Sequence, residues 1–461
     1  MNQPEEWPVL LQKALAAHQQ GDLDFAAHLY LSVLDTHPDQ PDSLHLLGVI
    51  AAQRGRFADS LELIDAALRV NPGTASFHSN RGIALDGLGR LPEARESLMR
   101  ALEFDPEFVD ALINLGNVEK KLGKLDEAFS AYRKAESLRP DHLPARWNQG
   151  IIKLLQGDFS YGLPRYELRE QVLASQGKRL ATRFPGARWS GTENIREKTI
   201  LLLAEQGLGD SLQFCRYVPM VAACGARVVL QVQRPLERLL ATTFAGCASV
   251  VPDETALPVG IDFHCPLLSL PLAFHTTLQS IPKHTPYLKA ETAQIALWQE
   301  RLGRKMFPRV GLCWSGNPDH PLDRDRRLSL AELIRFLPPS IDYISLQPQI
   351  REDEKSILAQ SPIRYFGWQL KDFTDTAALC ECLDLVVSID TSVAHLAGSL
   401  GRPTRLLLPY IPDWRWLLHR SDSPWYPSMT LHRQSAERSW APVLTKIRDV
   451  LCELSQRRAI Q

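Results

Sequence analysis

Three short segments carry residues of catalytic type at spacings that a fold can use. The first, Glu205 to Ser211, reads E-Q-G-L-G-D-S and follows an apolar run. Its glycines, Gly207 and Gly209, let the backbone approach a substrate closely, and Asp210 stands where the next helix begins. A carboxylate there is either an N-cap, worth about 1 kcal/mol, or a general base. The glycines do not make a dinucleotide site. Leu212 occupies the place of the third glycine, and Gln233 and Arg234 close the next strand where an acid would have to hold a ribose.

The second segment runs L-D-L-V-V-S-I-D-T-S-V-A-H from Leu383 to His395. An apolar strand ending in Asp390 is followed by a helix that starts within Thr391, Ser392 and Val393. Its exposed N–H groups and positive end suit a phosphate group, with two hydroxyls as further donors. His395, one turn in, either reaches that phosphate or a sugar, or packs beneath the loop. The third segment, D-R-D-R-R from Asp323 to Arg327, follows a strand ending in Ser315 and Gly316. Arg324 or Arg326 could close over an anion with a bidentate fork; otherwise the run is a solvated face. The D-x-D spacing imitates a metal site, but the neighbouring arginines would repel a divalent cation.

These segments need a scaffold of alternating strands and helices, and the text after about residue 198 supplies it. Apolar runs at 199–204, 226–232 and 248–252 alternate with helical stretches, and a second series follows at 309–316, 341–347, 362–367, 383–390, 404–409 and 429–433. This predicts two parallel-sheet lobes, 199–290 and 309–456, joined by a hinge at 291–308, with the ligand crevice between facing carboxyl edges. A polar linker is expected at 171–198.

The first third is organised differently. Gly21, Gly55, Gly89, Gly123 and Gly157 follow one another at a 34-residue step, as do Gly48, Gly82, Gly116 and Gly150, and Pro38, Pro72, Pro106 and Pro140. Three coincident series at this period resemble the tetratricopeptide repeat family, and they imply an α superhelix over 7–170 with four full units and a degraded fifth. Asn80, Asn114 and Asn148 keep the same step. They form either a carboxamide ladder for an acceptor peptide in the groove or a row of residues facing water.

The near-neutral charge, 52 basic against 53 acidic side chains, gives no global case for nucleic acid. It is a cancellation, because residues 1–140 hold 14 basic and 21 acidic side chains while 141–461 hold 38 and 32. An acidic N-terminus without a signal-peptide pattern, and no run of about 18 apolar residues, lead to the expectation of a cytoplasmic protein without a membrane span. The eight scattered cysteines lack zinc spacing and read as reduced thiols.

Taken in order, G-L-G-D, W-S-G at 314–316, S-L-Q at 345–347, D-F-T-D-T-A at 372–377 and V-V-S-I-D-T-S-V-A-H-L-A-G resemble the heptosyltransferase family of GT-B glycosyltransferases over about 197–455. The fusion to repeats is similar in layout to O-linked N-acetylglucosamine transferases and to bacterial enzymes that glycosylate flagellin. The resemblance implies two Rossmann-like lobes and inverting, metal-independent transfer from a nucleotide sugar, a co-substrate, with no cofactor. It implies Asp210 as base and a donor side drawn from Gly207, Gly209, Ser315, Gly316, Arg324, Arg326, Gln347, Asp390, Thr391, Ser392, Val393 and His395. The acceptor would be a protein hydroxyl presented by the repeats. Two other functions stay open, a glycan or lipopolysaccharide transferase and a non-catalytic scaffold. This chain has Asp-Thr-Ser where that family commonly has Asp-Thr-Gly. The Trp-rich segments 412–417 and 423–427 serve either stacking on a base or sugar, or core packing.

Overall fold

The computed structural model describes residues 6–175, 184, 186–256, 259–317 and 323–457. The chain forms two compact bodies, Met1–Ile152 and Lys153–Gln461.

The first body is a series of antiparallel helix pairs, Trp7–Gln19 with Leu23–Thr36, Pro41–Gln53 with Phe57–Val70, Ala75–Gly87 with Leu91–Phe104, and Val109–Lys121 with Leu125–Leu138. The glycine and proline periods explain this pairing. Gly21, Gly55, Gly89 and Gly123 follow each first helix at φ of +83°, +74°, +77° and +82°, a conformation that costs a residue with a Cβ. Each second helix ends two residues before a proline, which cannot continue it. The other glycine series sits where helices touch. A Cβ on Gly82 would lie 2.6 Å from Leu98, and one on Gly116 would lie 2.4 Å from Tyr132. Ala26, Ala94, Ala101, Ala128 and Ala135 are fully buried at the matching interhelical positions.

The second body starts inside the fifth period. The Phe159–Tyr166 and Arg169–Ser175 helices, read from sequence as the end of the repeats and the start of a linker, belong to it. The linker reading also gives way at Ala187–Arg188, which forms strand β1. Trp189, just beyond, is buried, so the apolar surface of this segment joins the core that follows.

Two wholly parallel sheets make up the rest. The first comprises β1, β2 (Thr199–Leu203), β3 (Arg227–Val232), β4 (Ala248–Pro252) and β5 (Phe263–Pro266) in the order β1-β5-β2-β3-β4. The second comprises β6 (Arg309–Cys313), β7 (Asp342–Ser345), β8 (Ile363–Arg364), β9 (Leu385–Ile389), β10 (Thr404–Leu408) and β11 (Met429–Arg433) in the order β11-β10-β9-β6-β7-β8. Every strand of the second sheet lies within a run read as a strand, whereas β1 and β5 are too short and polar to stand out. The span 291–308, expected to be a hinge, contains the Thr292–Leu302 helix with Trp298 fully buried. An indole buried on that scale packs a connection down rather than leaving it loose.

None of the eight cysteines is bonded to another. Among the described residues no helix is long and apolar enough to cross a membrane. Replacing Gly116 with Ala should lower the stability of the repeats by about 1–3 kcal/mol through the clash with Tyr132. Chemical denaturation followed by helix signal checks this; an unchanged midpoint would show that the tyrosine ring yields without cost.

Candidate functional site

In each sheet the strand order reverses once, between β2 and β5 in the first and between β6 and β9 in the second. Connections leave such a point in opposite directions, so a crevice opens at the carboxyl ends of the strands. A cavity of about 420 Å³ lies there, lined from the first sheet by residues 206–210 and Gln233, and from the second by Gly316, Arg326, Asp390–Ser392, His395, Ile411, Asp413 and Arg415.

The loop after β2 delivers Asp210 through a short helix, Leu208–Phe214. Asp210 is the third residue of that helix and the N-cap is Gly207, which corrects the N-cap reading. Its Oδ2 accepts the Gly207 N–H at 2.9 Å, while Oδ1 accepts from Arg415 Nη2 at 2.5 Å across the cavity. Gly209 has no room for a side chain, because a Cβ would lie 2.8 Å from His395 Cδ2 and 3.5 Å from Ser392 Cα. The first turns of two helices from different sheets are thus in direct contact.

The opposing helix, Ser392–Ser399, has Thr391 as N-cap in extended conformation. Ser392 lines the cavity. The Thr391 hydroxyl is turned inward, 3.2 Å from Ser388 Oγ and 3.5 Å from Cys313 Sγ. Val393 is buried away from the cavity, and its place in the site is limited to its backbone. Ser315 and Gln347 are also withdrawn. Gln347 Oε1 accepts from the backbone N–H groups of Trp314 and Ser315 at 2.8 and 3.0 Å, and its Nε2 donates to Ser315 Oγ at 3.0 Å. The pair brace the end of β6 rather than face a ligand. Gly316 leaves space for Arg326, whose Nη2 would be 2.8 Å from a Cβ there, and Arg326 Nη1 donates to the Asp390 carbonyl at 2.9 Å. The side chain of Arg324 lies outside the described residues.

Burial, aided by the neighbouring Asp413, pushes the Asp390 carboxyl up to about 6, against the pull of the Trp416 indole, Arg326 and Arg415. His395 is driven well below its ordinary value by burial, with Arg415, Arg216 and Arg326 adding to the effect. Its ring is therefore neutral, stacked 5.3 Å from Trp416, with Nδ1 2.9 Å from the Tyr426 hydroxyl. His395 packs beneath the loop, as one sequence alternative had it, and also lines the cavity.

Sequence reasoning missed Arg415, which lies within the segment noted for its tryptophans. Buried against Trp414 and Phe214, it donates to Asp210 and, through Nη1, to Asp413 Oδ1 at 2.8 Å. Burial alone would lower its affinity for a proton, but Asp413 and Asp210 outweigh that and hold it well above the ordinary arginine value. An arginine flanked by two tryptophans in sequence was the available signal. Trp414, Trp416 and Trp425 pack with Phe159, Phe214, Tyr426 and His395 in an aromatic cluster, the core alternative for these segments.

In the repeats the three asparagines do not form a free row. Asn80 Nδ2 lies 2.7 Å from His45 Nε2, and Asn148 Nδ2 donates to Asn117 Oδ1 at 3.4 Å. Each bond ties a first helix to that of the preceding repeat. Asn114 is half-buried. The same sideways pairing joins Lys121 to Asp86 at 2.7 Å.

Residues 11–75, 46–108 and 79–142 match the family model described as tetratricopeptide repeat, which establishes those repeats in the first third of the chain. The chain is 28% identical over 330 residues to Protein FlbA of Caulobacter vibrioides, an alignment that covers 65% of this chain and 53% of that protein. The chain thus spans about half the length of this curated relative, and the alignment is longer than the repeats alone can supply. Among solved structures, MamA of Desulfovibrio magneticus RS-1 is 16% identical with a TM-score of 0.33, covering 38% of this chain and 99% of its own. PilF of Pseudomonas aeruginosa is 21% identical with a TM-score of 0.33, over 36% of this chain and 75% of its own. YrrB, described as having an unusual peptide-binding site, is 18% identical with a TM-score of 0.30, over 36% of this chain and 87% of its own.

The Asp390 carboxyl gives a pH prediction. Because its folded value stands above the unfolded one, ionising it costs the folded state stability, which is lost as pH rises from about 4 to about 6 and stays lost above. Asp390→Asn should therefore gain up to about 3 kcal/mol on the parent between pH 4 and pH 7. Urea unfolding at both pH values tests it, and a difference independent of pH would refute the raised value.

Proposed function

We infer that the second body is an inverting, metal-independent glycosyltransferase of GT-B architecture, taking its sugar from a nucleotide donor and placing it on a hydroxyl of a protein. One observation carries this reading. A carboxylate on a helix of one parallel sheet, Asp210, faces the open start of a helix of the other, Ser392–Ser399, across a cavity at both reversal points.

Such an arrangement separates the two charges that the reaction creates. Asp210 takes the proton of the acceptor hydroxyl as its oxygen attacks the anomeric carbon, and the bond from that carbon to the nucleotide phosphate breaks. Negative charge then appears on the leaving phosphate. The N–H groups of Ser392 and Val393, the hydroxyl of Ser392 and the Arg326 guanidinium are the donors proposed to receive it. Arg415 has a double part. It orients Asp210, and a carboxylate bonded to a guanidinium is a weak base until that guanidinium turns toward the phosphate. Asp413 is the partner that retains Arg415 when it does so.

The repeats support a protein as acceptor, flagellin being one instance. With Asn80 and Asn148 engaged between neighbouring helices, peptide contacts fall to Asn114 and other groove residues. In a lysate supplied with nucleotide sugars, the enzyme should add sugar mass to a protein, and Asp210→Asn should slow that transfer roughly 10²–10⁴-fold. Transfer at the parent rate would remove Asp210 from the role of base. Transfer to a glycan that survives deletion of residues 1–140 would instead favour a glycan acceptor.

A further inference from the structure

The span 157–175 keeps the register of a fifth repeat, but its side chains have another task. Gly157 continues the glycine series with φ of +89°, yet a Cβ there would meet Leu278 at 2.8 Å and Leu417 at 4.0 Å, one residue from each lobe. Phe159 lies 5.8 Å from Trp414 and 6.1 Å from Trp425, and Tyr166 lies 5.6 Å from Trp414, all ring to ring. Arg169 is fully buried. It bonds Glu205 Oε1 at 2.5 Å, Glu167 Oε1 at 2.8 Å and Ser269 Oγ at 2.9 Å, with its guanidinium 5.0 Å from the Tyr166 ring.

We propose that residues 157–175 are a strap joining the two lobes, and that Arg169 is a positioning residue for the loop that carries Asp210. This rests on reading the cavity as a nucleotide site. The physical link is short. Arg169 fixes Glu205, the second residue of that loop, and two residues on Gly207 donates to Asp210 at 2.9 Å. On the far side, Phe159 and Tyr166 support Trp414, the neighbour of Arg415. Both members of the Asp210–Arg415 pair therefore lean on one stretch of chain. A buried arginine holding a buried glutamate is poorly replaced, since removing the cation leaves an uncompensated carboxylate that must find water or a proton, and the loop moves with it.

The experiment uses the full-length protein and a panel of uridine, guanosine, adenosine and cytidine mono- and diphosphates, read by titration calorimetry. For whichever nucleotide the parent binds, Arg169→Gln should weaken affinity on the order of tenfold, and Arg169→Gln combined with Glu205→Gln should recover part of the loss. Leu451→Ala, in the core behind the second sheet, should lower Tm and leave affinity as it was. If Arg169→Gln does not fold, Arg169→Lys gives the comparison, since an ammonium keeps the charge but not the fork. A folded Arg169 variant with parental affinity overturns the positioning role. Should the parent bind none of the panel, the nucleotide reading fails, and the strap is judged on its own by cutting a protease site placed at residues 178–182. Residues 1–175 should then co-elute with the remainder on gel filtration; their release would overturn the strap.

Discussion

Arg415 is caught between two carboxylates that belong to different parts of the second body. Asp210 comes from the first sheet's loop, Asp413 from the same turn as the arginine itself. Burying a guanidinium is costly unless its charge is matched, and here the match requires the two lobes to be close. The glycine at 209 makes that closeness possible, and the aromatic cluster of Trp414, Trp416 and Trp425 excludes the water that would weaken the pairs. Remove any one of these and the others lose their reason. The pair adds little net stability in such an environment; what it fixes is the mutual placement of the groups that line the cavity.

A second buried arginine shows how that placement is maintained without an acid. Arg216, beyond the Asp210 helix, donates to the carbonyls of Gln213 and Trp425 at 2.7 Å each and to the Tyr287 hydroxyl at 2.9 Å. Its guanidinium also faces the rings of Tyr287 and Tyr426 at 4.6 Å. Carbonyl dipoles and aromatic faces take the place of a counter-ion. Because Trp425 lies in the second lobe, this is a further bond between lobes, and Ser399 extends it by donating to the Tyr287 hydroxyl at 2.6 Å.

What could be read in the sequence follows from how each feature is encoded. The repeats were legible because a positive φ and a close helix contact each demand glycine, and the demand recurs every period. The strands of the second sheet were legible because strands covered on both faces become continuous apolar runs. Asp210 and the start of the Ser392 helix were legible because local geometry, a loop after a strand, brings them to the crevice. Arg415, Arg169 and Arg216 were not, since each is defined by partners far along the chain. Gln347 and the Thr391 hydroxyl failed for the opposite reason. Their types fit a ligand, but the strand end needed their hydrogen bonds more.

Gly157 has the backbone of the four repeat glycines before it, yet it is packed by Leu278 and Leu417. The last period has thus been recruited into the neighbouring body while keeping the step of the array. In a solenoid each unit touches only its neighbours, whereas the turn at 157 packs against residues more than a hundred positions along the chain. One glycine conformation thus serves two kinds of packing, local in the array and long-range at its last step.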